Sequence, residues 1–112
     1  MNYDPKPFVA AGVAFLDSHR ESTPELKQWE REVDLETLDM NHGWHCMLGQ
    51  LFGHYTFVTR PYFSRQPRMN LDEFIAINCG FRHNEGLLVS EHAQYTALTA
   101  EWKRLIGERL AA

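Results

Sequence analysis

The run NHGWHCMLGQLFGHY, residues 41 to 55, holds three histidines, three glycines and a cysteine. Imidazole and thiolate are the common protein donors to zinc. His42, His45 and Cys46, taken with Cys79 and His83 further along, therefore supply the right chemistry for a tetrahedral site. Their order gives a His-x3-Cys pair and a Cys-x3-His pair separated by 32 residues. The spacing is weaker than the inventory. His42 and Cys46 share a helix face only if the helix already includes position 42, and Gly80 breaks helical register between Cys79 and His83. There is no Cys-x2-Cys knuckle. The competing reading makes both cysteines small buried hydrophobes and leaves the histidines to cap helices or face solvent. We expect no cofactor, with a zinc-binding module as the alternative.

Cys46 near a helix N-terminus could also be a nucleophile, because the helix dipole lowers a thiol pKa and a histidine could act as base. No orienting third group or oxyanion signature accompanies it, so catalysis is not the expected role. The carboxylates Glu30, Glu32, Asp34 and Glu36 could bind a divalent cation or serve as acid and base, but their alternate spacing matches no calcium loop. Glu73 and Glu101 lie too far apart in sequence to infer a site.

Charge is the more informative pattern. Residues 21 to 39 carry seven acids against Lys27 and Arg31, whereas no acid occurs between Asp39 and Asp72. Within that acid-free stretch Arg60, Arg65 and Arg68 alternate with Tyr62 and Phe63. Arginine and aromatic residues are preferred anchors in protein interfaces, and they can also stack on single-stranded bases. The formal charge of −4 argues against general binding to nucleic acid or an anionic membrane, which needs a net positive field. A protein partner is therefore the first expectation for Arg60, Tyr62, Phe63, Arg65 and Arg68. Nucleic acid comes after it, the acidic second helix is the other candidate surface, and the structural alternative is a loop folded back on its own acids.

The elements that must position these residues follow from helix signals. At 112 residues and 44% hydrophobic composition the chain is expected to form one mainly α domain over 1–112, of about five helices, with room for one short strand pair. Asp4 can cap a first helix ending near His19, with Phe8, Ala11, Phe15 and Leu16 as its stripe. Thr23 and Pro24 start a short second helix carrying Leu26, Trp29 and Val33. The segment LETLDM reads as a turn or extended connection.

From Trp44, Leu48, Leu51, Phe52 and Tyr55 repeat at helical spacing, and Cys46, Gly49 and Gly53 form a small-residue side that another backbone could approach. Residues 56 to 69 read as a loop, with YTFVT as a candidate strand. Asn70 is expected to cap a fourth helix ending at Gly80. Ser90 caps the last, whose stripe is Tyr95, Leu98, Trp102, Leu105 and Ile106. Trp29, Phe52 and Trp102 should fill the core.

LETLDM, CMLGQLFGHY, Gly80-Phe81 and YTALTAEWKRLI together resemble a set of short proteins from actinobacteria and their phages, over most of residues 33 to 106. The matching positions are Leu38, Asp39, Cys46, Leu48, Gly49, Gln50, Leu51, Phe52, Gly53, Tyr95, Leu98, Thr99 and Trp102. The resemblance implies a source and attaches no activity, cofactor or partner; His42 and His45 are not part of the pattern. Gln50 is the one polar member of the CMLGQLFG core, and its amide is expected to bond the backbone of the LETLDM segment.

No apolar stretch approaches the roughly 20 residues of a membrane span, and MNYDPKPF lacks the basic-then-apolar order of a secretory signal. The expected location is the cytoplasm, that of the host if the protein is phage-encoded, with the two cysteines as free thiols. The expected function is protein–protein interaction with a host or self partner.

Overall fold

The computed structural model describes residues 3–59 and 71–112. Its helices are α1 (Lys6–Ser18), α2 (Trp29–Glu32), α3 (Met47–Phe52), α4 (Tyr55–Thr59), α5 (Glu73–Asn78) and α6 (Glu91–Ala111), with a 3-10 turn at Pro24–Leu26. The mainly α class is as the periodicity predicts, and no strand or strand pair occurs among the described residues.

The core is organised by the indole of Trp102 on α6. Its ring stacks on Phe81 with centroids 5.6 Å apart and meets Trp29 edge-on at 6.2 Å. Both buried indoles keep their N–H satisfied, as burial in an apolar core requires: Trp102 Nε1 donates to the Gly80 carbonyl (2.8 Å) and Trp29 Nε1 to Asp17 Oδ1 (3.1 Å). Phe52, expected alongside the two tryptophans, is only partly buried, and Phe81 takes the place assigned to it. The first stripe is also turned by one residue. Val9, Gly12, Val13 and Leu16 are the buried positions of α1, while Ala11 is exposed. Gly12 explains the turn, since an added Cβ there would meet the Cys79 carbonyl oxygen and the Trp102 ring. The α1 backbone thus lies directly on α6 and on the end of α5.

Local chemistry fixes the ends. Ser90 Oγ accepts from Ala93 N–H at 3.1 Å, so the expected cap of α6 is in place. Gly80 follows the end of α5 with φ of +70°, the left-handed conformation that suits glycine. Asp72, rather than Asn70, caps α5, accepting from Phe74 N–H at 2.7 Å. The expected second helix is broken at Gln28 into a 3-10 turn and the single turn α2. The third begins at Met47, not Trp44, because Cys46 is its extended cap residue, and it ends at Gly53 with φ of 101°. Tyr55 therefore belongs to a separate helix. The expected strand YTFVT is α4 itself: Tyr55 N–H donates to the Gly43 carbonyl (2.9 Å) and Val58 is buried. Tertiary anchoring overrides β propensity there.

Candidate functional site

Polar and apolar groups meet around α5, beside Cys46 and at the Arg20–Glu30 cluster. The α5 neighbourhood is held by ionic and phenolic bonds. Tyr55 hydroxyl donates to Glu73 Oε2 (3.1 Å), and Arg82 bridges the same oxygen (2.7 Å) and Glu85 Oε1 (3.2 Å). Glu73 thereby ties α4, α5 and the loop after α5 into one edge. Burial, reinforced by the Glu73 charge, raises the Tyr55 phenol well above its ordinary value, so it remains a donor.

That loop is clamped from below by Gln94, which is only 1% exposed. Its Oε1 accepts from Asn84 N–H (2.7 Å), while Nε2 donates to the carbonyls of Asn84 and Val89 (both 2.9 Å). His83 completes the anchor through Nδ1 and the Tyr95 hydroxyl, 3.0 Å apart. What this rigid frame holds outward is apolar: Phe74 is 71% exposed and Ile75 41% on α5, and Leu88 is 86% exposed on the loop. The sequence reading missed Gln94 and this apolar group. The position of Gln94 four residues before Leu98, on the face that α6 buries, was the available signal for the first.

Arg60, Tyr62, Phe63, Arg65 and Arg68 lie outside the described residues. The described residues flanking them are joined, since Leu71 N–H donates to the Val58 carbonyl at 2.9 Å. Val58 and Leu71 are thereby held together at the start of α5.

Around Cys46 the glycines serve packing. An added Cβ at Gly49 would meet the backbone of Gly43 and Trp44, so the expected close approach to this face occurs, made by the loop that precedes α3. Gly53, by contrast, terminates α3. Cys46 Sγ accepts from Gly49 N–H at 3.2 Å. Burial pushes the thiol up to about 11, so at neutral pH it is a protonated cap and not a thiolate nucleophile.

The zinc candidates are distributed among separate tasks. His42 and His45 are exposed and stack on each other at 4.1 Å; His83 is bonded to Tyr95; Cys79 ends α5 with its carbonyl over Gly12. Among the described residues no three His, Cys, Asp or Glu side chains converge as a metal site. Gln50 bonds backbone as expected but one residue earlier: Oε1 accepts from Asp34 N–H (2.7 Å), and Nε2 donates to the carbonyls of Asp34 (3.2 Å) and His45 (2.9 Å). Leu38 is buried, and Asp39 Oδ1 accepts from Asn41 N–H in the turn that follows.

Among the acids of the second helix, Glu30 is drawn into an ion-pair cluster. Arg20 grips Glu30 through two bonds of 2.9 Å and Asp17 at 2.6 Å, and Arg109 from α6 reaches both acids at 3.2 Å. Arg20 holds the Glu30 carboxyl down to about 2. Glu32, Asp34 and Glu36 remain exposed, and Glu101 is paired with Arg104 at 2.6 Å. The bonds to Arg20 and Arg109 keep Glu30 ionised as a structural tie rather than a proton donor.

No protein-family model, curated protein or solved structure matches the chain. Among the described residues no helix is long and apolar enough to cross a membrane.

Proposed function

We propose that the protein acts by binding a protein partner, without catalysis, through the exposed face of α5 and the arginine-bearing residues 60–68 that precede it in sequence. The observation that carries this reading is the 71% exposure of Phe74 on a helix fixed by the Tyr55–Glu73–Arg82 bonds. A large apolar ring held in water by a rigid frame costs solvation until a partner covers it. The preceding sequence segment 60–68 carries Arg60, Arg65 and Arg68 and no acid, so the partner should be acidic around an apolar centre. If the actinobacterial and phage resemblance reflects the source, a host cytoplasmic protein is the natural target.

Affinity purification from an actinobacterial extract provides the test, using wild type, Phe74→Ser and the triple change Arg60→Ala, Arg65→Ala, Arg68→Ala. A partner retained by wild type should be lost by Phe74→Ser and weakened by the triple variant, with a shallower salt dependence. Equal retention by all three, with unchanged melting, would remove this edge from consideration.

A further inference from the structure

Beside Cys46 the fold leaves a cleft of about 140 Å³, walled by Met40, Cys46, His54, Tyr55, Phe81 and Tyr95. No Asp, Glu, Lys or Arg side chain lines it. Three of its polar groups are committed elsewhere, Tyr55 hydroxyl to Glu73, Tyr95 hydroxyl to His83 and Cys46 Sγ to Gly49 N–H, while the Asn41 amide and the imidazoles of His42 and His54 add neutral polar edges to the lining. Among the described residues every buried side-chain nitrogen or oxygen has a hydrogen-bond partner. A charged occupant would lose hydration here with no acidic, lysine or arginine side chain to offset it, whereas an aromatic ring finds Met40, Phe81 and Tyr95 as apolar walls.

Size narrows the class further. A cavity of about 150 Å³ with apolar walls accepts a single benzene ring, and aromatic edges and sulfur atoms make favourable contacts with such a ring. The wall at His54 is shaped by Gly43, where an added Cβ would lie 2.5 Å from His54 Nε2 and 2.7 Å from Cε1. Trp44 supports the same imidazole edge-on at 4.6 Å. A side chain at 43 would displace the imidazole from this position.

We propose that this cleft binds a small uncharged aromatic molecule of one ring, of benzene or phenol size. The proposal is independent of the partner-binding edge. It is tested by titrating benzene, phenol and benzoate into the ¹⁵N-labelled full chain and following backbone amide resonances. Benzene and phenol should give saturable shifts centred on residues 40–46, 54–55, 81 and 95, with benzoate weaker by roughly tenfold or more. Asn41 is exposed at the mouth, so Asn41→Trp should cover the opening and weaken benzene by roughly tenfold without lowering the melting temperature. His54→Ala, which widens the cleft, should raise the affinity of the two-ring probe indole relative to benzene. Shifts that fail to saturate or spread over the surface, benzoate binding as tightly as benzene, or an unaltered indole-to-benzene ratio in His54→Ala would each overturn the assignment.

Discussion

Two glycines in helix interiors should respond oppositely to the same substitution. Gly107 lies exposed on α6 with nothing within 4 Å of an added Cβ. Gly107→Ala should therefore return the full difference in helix propensity, about 1 kcal/mol of added stability, or about 4 °C in Tm for a domain of this size. Gly12→Ala gains the same propensity but places its methyl against the Cys79 carbonyl and 2.7 Å from Trp102 Cζ2. Neither neighbour is a flexible chain end. One is backbone, and the other is an indole fixed by its bond to Gly80 and its stack on Phe81. Against a backbone carbonyl and a fixed ring the overpacking cost falls at the upper end of its usual range, about 2–3 kcal/mol, which exceeds the propensity gain. The net expectation is a loss of about 1–2 kcal/mol, read by urea denaturation followed by tryptophan fluorescence. A Gly12→Ala protein as stable as Gly107→Ala would refute the packing of α1 on α6.

Three further outcomes follow from the bonds described. Gln94→Leu strands Asn84 N–H and two carbonyls, and should cost about 2–3 kcal/mol while raising amide exchange in residues 84–89 before the rest of the chain. Gln50→Leu should lower stability by about 1–2 kcal/mol and leave partner capture intact; loss of capture with unchanged melting would show that Gln50 is a contact residue. In acid, the Glu30 carboxyl falls from 4.5 to about 2 on folding, at 1.36 kcal/mol per unit. Its contribution is present above pH 4.5 and disappears as pH drops through about 2. Solvent screening reduces it to about 1–2 kcal/mol. Glu30→Gln should flatten the stability profile across that window, and an unchanged slope would mean the Arg20 and Arg109 bonds contribute little.

How much of this was legible beforehand differs by feature. Residues whose information is local were readable: Ser90 as a cap, Gly80 as a terminator, Trp102 and Leu98 as the buried stripe of α6. Residues whose role is set across the fold were not. The stripe on α1 is displaced because Gly12, silent in a hydrophobic pattern, admits Trp102. YTFVT is helical because Gly43 and the core hold it, against its own composition. The two glutamine clamps differ instructively, since Gln50 stood out in a glycine-rich motif while Gln94 lay among the polar residues of a helix start. The histidine and cysteine inventory suggested a shared site, whereas His42 stacks on His45, His83 bonds Tyr95 and Cys46 caps α3, positions set by contacts that spacing alone does not reveal.

On this reading, partner recognition occurs on the α5 edge around Phe74. Site-specific photo-crosslinking in an actinobacterial host tests it most directly, with benzoylphenylalanine placed at Phe74 or, as a control, at exposed Glu108 on α6. A discrete adduct with one protein from position 74 and none from 108 is expected. The same adducts from both positions, or none from position 74 while the protein is folded and expressed, would contradict it.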